Sequence, residues 1–350
     1  MKHTIITPSY NQFDYLKQCI ASVADQCGEN CTVYHHVQDG CSTDGTCEFL
    51  EKLSGNDESM LLVHGEGKDL RNHHLSTYQP TFVSESDAGM YDALNKGADF
   101  VLQNQVDECL LKNNGAMKPA IEEESPNNHE QSSINSLDRM IAWLNCDEQY
   151  LPGTLQKVAD YFRKNPETDI LFGGMLVIDE TGELLSCRRA MPMRKVFLEA
   201  SYLYNYSCAM FFRRSLWEKL GGFDTAYKNA GDEDLIRRAL ASGAKTAVLD
   251  EYLSVFTYGE GNLSSEPSAV EEHRLLKQNN SGWVQLFRPV INAIRLGEKW
   301  IRGGHRQKGP IEYEIYVEGS VERKKFVCEN PSCQWPGHTK PYMLHHRLDT

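Results

Sequence analysis

The chain has 350 residues, of which 40% are hydrophobic and 24% are charged, so it is long enough to bury a sizeable core. Its 36 basic and 49 acidic residues give a formal net charge of −13, which argues against a nucleic-acid partner. No apolar run approaches the length of a membrane span, and Met1 leads directly into a strand-like segment, so we expect a cytoplasmic protein. The 11 cysteines, an odd number, favour free thiols over a disulfide framework.

Strand-like and helix-like segments alternate through the first 100 residues. β-Branched or apolar runs predict strands within 3–8, 31–40, 60–63 and 81–89. Apolar residues at helical spacing predict helices after three of them, within 13–23, 42–50 and 90–98. Ser42 or Thr43 is the predicted N-cap of the second helix. This alternation is typical of βα units around a parallel sheet.

An apolar run from Met140 to Leu144 ends abruptly in the polar residues Asn145, Asp147 and Glu148. In an open α/β sheet, ligands bind beyond the carboxyl ends of the strands, so these side chains are placed to face a ligand. Mg²⁺ and Mn²⁺ prefer one or two carboxylates together with phosphate oxygens and water. The alternative is a strand-to-helix turn without a ligand.

The remaining segments frame this central strand. Residues 103–138 form a polar tract that predicts an insertion on the side of the sheet away from the carboxyl-end cleft. After the acidic turn we predict a helix at 155–162, a hairpin around 180–182, a strand in AMFF, a helix at 215–220, an acid-led helix ending at Gly243, and one or two closing strands.

Residues 283–302 predict a basic amphipathic helix. Between Trp283 and Gly309 there are six Lys or Arg residues and one Glu, which suits an anionic membrane surface. Packing of this helix on the rest of the chain, with a kink at Pro289, is the alternative. Near the end, Cys328, Cys333 and His338 have no standard zinc spacing, so either a zinc site or a loop of free thiols fits them.

Five segments, in this order, resemble glycosyltransferase family 2, the inverting, nucleotide-sugar-dependent enzymes: TPSYN, DGCSTDGT, SESDAGMYDALNKG, LNCDEQYLPG, and GGFD followed by GDEDLIRR. The resemblance covers roughly Lys2 to Phe256. It implies an α/β fold of GT-A type, with a Rossmann-like nucleotide-binding half and a mixed, mostly parallel sheet flanked by helices. The expected division is a catalytic domain at 1–262, a C-terminal helical segment at 263–309 and a short tail at 310–350.

The resemblance also implies roles for individual residues. Asp232 matches the general base, with Asp234 as the alternative, and Asp147 matches the acid that binds Mn²⁺ or Mg²⁺. Asp39 matches the acid that accepts the N3–H of a uridine-type base. The full set of nucleotide-sugar contacts implied in this way is Thr7, Pro8, Tyr10, Asn11, Asp39, Asp87, Asn95, Lys96 and Asn145. We expect these clusters to meet at one rim of the sheet.

The implied activity is transfer of a sugar from a UDP-linked donor to a glycan or lipid-linked acceptor in cell-surface polysaccharide biosynthesis, with peripheral contact at the inner membrane surface. Four residues depart from the family pattern: Gly40, Asn145, Glu148 and Gly231. Glu148 and Gly231 leave open the alternative of a non-catalytic nucleotide-sugar-binding or membrane-docked assembly subunit.

Overall fold

The structure, a computed structural model, describes residues 1–27, 31–54, 78–103, 139–259, 267–278 and 280–336. Within them lie nine strands of one sheet: β1 (Lys2–Ser9), β2 (Thr32–Asp39), β3 (Tyr78–Ser84), β4 (Arg139–Trp143), β5 (Glu148–Tyr150), β6 (Ile170–Ile178), β7 (Leu184–Arg188), β8 (Met210–Arg213) and β9 (Thr246–Thr257). The strand predicted at 60–63 and the body of the polar insertion lie outside the described residues.

The strand order is β3-β2-β1-β4-β8-β6-β9-β5, with β7 paired to β6. The first four neighbours are parallel and form a Rossmann-like half. β5, β7 and β8 run against the other six strands of the described sheet. This confirms the predicted mixed, mostly parallel sheet. The register places Ser9 beside Asp39 and Asp39 beside Ser84, so the carboxyl ends of β1, β2 and β3 are level.

Ten α-helices are described: α1 (Phe13–Ala24), α2 (Thr46–Ser54), α3 (Met90–Gln103), α4 (Thr154–Lys164), α5 (Lys195–Ala200), α6 (Arg214–Leu220), α7 (Gly231–Ala241), α8 (Pro267–Gln278), α9 (Gly282–Leu286) and α10 (Arg288–Ile301). At the start of α2 the capping prediction is wrong. Asp44, and neither Ser42 nor Thr43, accepts the backbone N–H of Thr46 at 3.2 Å, because the Ser42 side chain is bonded to Asp39 instead.

Both faces of the sheet are covered, which explains the unbroken apolar run in β4. Ile141 and Trp143 face a core built with α3, α6 and α7. Met140, Ala142 and Leu144 face a second core built with α1 and α4. This alternation follows from the two-residue side-chain period of a strand. It leaves the residues directly after β4 at the rim, between the two cores.

The C-terminal segment packs on the first core through few side chains. The amphipathic helix predicted at 283–302 is interrupted at Phe287, and Pro289 lies in the first turn of α10, where proline is tolerated, so the kink predicted at Pro289 is a break between two helices. Val284 and Ile291 are buried in the core. No described helix is both long and apolar enough to cross a bilayer.

Residues 311–328 form a hairpin of β10 (Ile311–Ile315) and β11 (Lys324–Cys328). Its inward side chains pack against Leu176 and Val255. Beyond the hairpin, the Cys333 sulfur lies 3.2 Å from that of Cys187, and His338 lies outside the described residues. The predicted domain boundaries and the zinc hypothesis stay predictions.

Candidate active site

The loops that follow β1 and β2 are bonded to each other. The backbone N–H of Asn11 donates to Ser42 Oγ at 2.8 Å, and Asn11 Oδ1 accepts the N–H of Thr43 at 2.8 Å. Asn11 adopts a left-handed φ of 50°, a conformation that asparagine tolerates better than most residues. The preceding residue, Tyr10, leaves 65% of its side chain exposed. The two loops therefore form one surface at the rim.

Two predicted contact residues lie beneath this surface. Asp39 is fully buried, and its carboxylate accepts hydrogen bonds from the Ser42 backbone at 2.9 Å and from Ser84 Oγ at 2.7 Å. Thr7 is also fully buried, and its hydroxyl lies 2.9 Å from His35 Nε2. Pro8 is half-buried, and its carbonyl accepts the thiol of Cys146 at 3.2 Å. Asp39 and Thr7 thus shape the loops from inside.

Asp87 follows β3 and comes close to the end of β2. A Cβ at Gly40 would lie 2.7 Å from Asp87 Oδ2 and 3.3 Å from the Tyr10 ring. Glycine at position 40 is therefore explained by crowding between these two side chains. Lys96, on α3, donates to the Ser86 carbonyl at 2.7 Å, so it lies beneath the same loop.

The Asn95 side chain is hydrogen-bonded to the turn that contains GGFD. Its Oδ1 accepts the N–H of Phe223 at 2.8 Å, and its Nδ2 donates to the Phe223 carbonyl at 2.9 Å. Gly222 has a φ of 75°, and a Cβ there would lie 2.5 Å from Asn95 Oδ1. The side chain predicted to contact the nucleotide therefore fastens this turn to α3.

Asn145, Asp147 and Glu148 form the turn between β4 and β5. Glu148 is buried and its Oε2 accepts the N–H of Asn145 at 2.7 Å, which closes the turn. Asn145 Oδ1 is buried and has no hydrogen-bond partner among the residues that the structure describes. The structure gives the Asp147 carboxylate no donor from any other described residue, and burial raises its pKa. A half-buried carboxylate and an unsatisfied buried amide oxygen therefore stand two residues apart.

These oxygens fit a hard divalent cation. Mg²⁺ and Mn²⁺ prefer oxygen ligands and need few carboxylates when phosphate and water complete the shell. No group of three or more His, Cys, Asp or Glu side chains in the described parts of the chain is placed to hold a metal by itself. A cation at Asp147 and Asn145 would thus depend on ligand phosphates.

Asp232 is in the first turn of α7. Its Oδ1 accepts the N–H of Glu233 at 2.8 Å and the Tyr91 hydroxyl at 3.4 Å. Burial raises the pKa of Asp232 to about 6, and the charge of Glu233 adds to this. Its neighbours are engaged, since Glu233 pairs with Arg237 and Asp234 pairs with Arg238, each at 2.7 Å. Of the three neighbouring acids Asp232, Glu233 and Asp234, Asp232 is the one that forms no ion pair with a described residue.

Two supporting residues were not found from the sequence. The Tyr91 ring fills the space beside Gly231, where a Cβ would lie 2.8 Å from ring atoms. From α8, Glu272 accepts the backbone N–H groups of Lys228, Asn229 and Ala230 at 2.8–2.9 Å. Tyr91 lies within the motif SESDAGMYDALNKG. No local sequence pattern relates Glu272 to a loop that is more than 40 residues away along the chain.

The acids act on one another electrostatically. The pKa of Glu148 is raised by burial, by the charge of Asp147 and, more weakly, by that of Asp232. The pKa of Cys146 is raised by burial first, and the charges of Asp147 and Asp39 contribute. The ends of β2 and β4 and the start of α7 therefore meet at one rim.

A family model described as glycosyl transferase family 2 matches residues 4–71, the region that contains the first two loops of this rim. Over this region the chain is similar to glycosyltransferase family 2. The mixed sheet flanked by helices agrees with the GT-A type architecture that the resemblance in the sequence implies.

Relatives of the chain carry glycosyltransferase names. The chain is 32% identical over 107 residues to the teichuronic acid biosynthesis glycosyltransferase TuaG of Bacillus subtilis, a match that covers 29% of this chain and 42% of TuaG. It is 20% identical over 303 residues to a PGL/p-HBAD biosynthesis glycosyltransferase of Mycobacterium bovis, covering 85% and 91% of the two chains. S. aureus TarS, solved with UDP-GlcNAc, is 17% identical with a TM-score of 0.49, covering 86% of this chain and 73% of that one.

Proposed function

We propose that this chain transfers a sugar from a nucleotide-sugar donor to a hydroxyl group of a glycan or lipid-linked acceptor, with inversion at the anomeric carbon. The observation that carries the proposal is the unsatisfied buried amide oxygen of Asn145 two residues from the half-buried Asp147 carboxylate, at the same rim as Asp232, which has no ion pair among the described residues. UDP is the nucleotide we predict, and cell-surface polysaccharide biosynthesis is the predicted setting.

The donor is held by the loops that follow the parallel strands. Asp147 and Asn145 bind the cation, and Mn²⁺ or Mg²⁺, when bound, supplies the positive charge that stabilises the departing diphosphate. Tyr10 and Asn11 contact the nucleotide from the first loop, and Asp87 and Lys96 contact it from the third. Asp39 supports these loops from beneath, which its burial and its bonds to Ser42 and Ser84 favour.

Asp232 accepts the proton of the attacking hydroxyl group. A carboxylate with a pKa of about 6 is ionised at neutral pH and is a stronger base than an ordinary aspartate. The oxygen that loses its proton attacks the anomeric carbon opposite the bond to the diphosphate, and the diphosphate leaves with the bonding electrons. Attack on that face inverts the configuration. Tyr91 and Glu272 hold the loop and helix start that carry the base.

Two departures from the family pattern have structural causes that favour catalysis over the non-catalytic alternative. Glu148 closes the turn that carries Asp147, and glycine at 231 makes room for the ring of Tyr91. Neither change removes a group that the proposed reaction uses.

We also propose that α9 and α10 rest on the inner membrane surface. Seven large apolar side chains of this segment are 51–78% exposed: Trp283, Leu286, Phe287, Val290, Ile294, Trp300 and Ile301. Basic residues on the same helices complement anionic lipid headgroups. Flotation with phosphatidylglycerol vesicles and not with phosphatidylcholine vesicles is the expected result. Protein that floats with neither would contradict membrane contact.

The catalytic proposal is tested by measuring hydrolysis and transfer across a panel of UDP- and GDP-sugars with Mn²⁺ or Mg²⁺. Turnover of a nucleotide sugar by the wild type is expected, with loss of turnover in Asp147→Ala and Asp232→Asn. Asp99→Asn, which changes an exposed carboxylate on α3, is the matched control and should keep full activity. Donor binding without turnover of any donor would favour a non-catalytic subunit.

A further inference from the structure

A second concave site lies between the segment after β7 and helix α10. Its cavity volume is about 30 Å³, and the rest of the site is open to solvent. The residues that characterise it are three cations and three tyrosines: Arg188, Arg295, Lys299, Tyr202, Tyr204 and Tyr206. None of them belongs to the donor rim described above. We call this site the basic cleft.

Arg188, Arg295 and Lys299 have no acidic partner among the described residues, whereas Arg189, which also lines the cleft, pairs with Asp250 at 3.3 Å. Arg188 donates to the Tyr206 hydroxyl and to the Cys333 carbonyl, each at 2.8 Å, and Arg295 donates to Asn292 Oδ1 at 3.3 Å. No described residue offers the Lys299 ammonium group a hydrogen bond or an ion pair. The acid among the described lining residues, Glu298, is already paired with Arg194 and Arg302, each at 3.0 Å.

The positive charge of the cleft acts on Lys299. Burial first, and then the charges of Arg188 and Arg295, lower the pKa of Lys299 to about 8. Like charges held together without counterions raise the free energy of the empty cleft, and a bound anion would relieve that cost.

Aromatic rings form the walls beside these cations. The Arg295 guanidinium lies 5.2 Å from the centre of the Tyr202 ring and 5.9 Å from that of Tyr204. The Arg188 guanidinium lies 5.7 Å from the Tyr206 ring. Rings at this distance orient the guanidinium groups without neutralising them. Tyr202 is exposed, so one wall of the cleft is accessible from outside.

The basic cleft is connected to both the base and the exposed apolar surface. Between Tyr202 and Tyr204, the Leu203 N–H donates to Glu233 Oε2 at 3.3 Å, one residue from Asp232. On α10, Lys299 directly precedes Trp300, which is 66% exposed, and Ile301, which is 78% exposed. An anion in the cleft would therefore lie between the base and an apolar surface suited to acyl or prenyl chains.

We propose that the basic cleft binds the phosphate or diphosphate group of a lipid-linked acceptor, with Arg295 and Lys299 contacting its oxygens. The assignment rests on the proposed function, because the ligand is the acceptor of that reaction. The exposed apolar residues beside the cleft favour a lipid phosphate over a soluble anionic glycan.

The test measures binding of farnesyl phosphate to the full chain by calorimetry, in the absence of any nucleotide sugar. Farnesol is the uncharged comparison, and a soluble glycerol phosphate polymer represents the anionic glycan. Farnesyl phosphate should bind the wild type, and Lys299→Met and Arg295→Gln should each weaken it about tenfold or more, the effect of losing one charge-assisted contact. Arg302→Gln, directly after the same helix and not among the residues that line the cleft, is the matched control and should bind as the wild type does.

Three results would overturn the inference: equal binding of farnesol and farnesyl phosphate, unchanged binding in both cleft variants, or binding of the polymer alone. The midpoint temperatures of the same proteins with UDP and Mn²⁺ provide an independent readout of the donor site. Cleft-dependent binding of farnesyl phosphate without any effect of nucleotides would support the cleft and contradict the proposed function. A nucleotide effect with no farnesyl phosphate binding would overturn the cleft alone.

Discussion

The ring of Tyr91 occupies the space that a side chain at Gly231 would need. A Cβ at position 231 would approach ring atoms to 2.8 Å, and the Tyr91 hydroxyl donates to the Asn229 carbonyl at 3.2 Å and to Asp232 Oδ1 at 3.4 Å. The ring also packs against Phe223, with centroids 4.8 Å apart. The start of α7, and with it the proposed base, is therefore positioned by α3.

Replacing Gly231 by alanine should destabilise the protein and lower turnover. The added methyl group must displace the Tyr91 ring, and overpacking of this kind costs about 1–3 kcal/mol in the free energy of unfolding. Gly282→Ala is the matched control, since Gly282 is also the first residue of a helix and a Cβ there has no neighbour within 4 Å. Urea unfolding measures both variants, and equal stability of the two would contradict the account.

The activity should depend on the protonation of Asp232. A general base must be ionised, so kcat/KM should rise with pH through an apparent pKa of about 6 and then level off. Below that pH the protonated fraction grows, and kcat/KM should fall about tenfold per pH unit. The profile is measured with saturating metal, and Asp234→Asn should keep its shape because Asp234 pairs with Arg238. A midpoint near about 4, the ordinary aspartate value, would argue against a buried base.

Removing the Glu272 carboxylate should loosen the loop before α7. In Glu272→Ala three backbone N–H groups, of residues 228–230, lose their acceptor, and the free energy of unfolding should fall by about 2 kcal/mol or more. We expect kcat to decrease with little change in the KM for the donor, since Glu272 positions the base loop. Glu271→Ala, which removes an exposed neighbour paired with Arg274, should change neither parameter. Identical kinetics in the two variants would exclude the positioning role.

Asn95 and Lys96 should respond in opposite ways to replacement by alanine. Asn95→Ala loses both bonds to Phe223, so its free energy of unfolding should fall by about 1–3 kcal/mol while its Kd for UDP stays unchanged. Lys96→Ala should weaken UDP binding with little loss of stability, if Lys96 contacts the diphosphate as proposed. Urea unfolding and calorimetry separate the effects. If the Asn95→Ala protein were fully stable but bound UDP more weakly, the result would favour the nucleotide contact that the sequence predicts for Asn95.

The sequence predicted the elements of the rim because strand and helix patterns are local. The apolar run ending at Asn145 and the acids that open α7 are visible without coordinates. The parallel order of β1 to β4 then brings the loops together, since the carboxyl ends of parallel strands share one edge.

The sequence could not show which side chains remain available to a ligand. Asp39 and Asn95 have the chemistry of ligand contacts, but tertiary neighbours engage both, and those neighbours are distant along the chain. Gly40 and Gly231 both depart from the family pattern, and Gly231 left a non-catalytic role open, whereas each makes room for a neighbouring side chain. Glu272 was missed because its partners are peptide N–H groups, which carry no sequence signature.

In the proposed reaction, Asp147 and Asn145 hold a divalent cation against the donor diphosphate. Calorimetry of UDP with and without Mn²⁺ tests this role, using the wild type, Asp147→Ala and the control Asp99→Asn. We predict that Mn²⁺ tightens UDP binding by the wild type and by Asp99→Asn and has no effect on UDP binding by Asp147→Ala. Equal Mn²⁺-dependent binding of UDP by Asp147→Ala and the wild type would contradict the claim.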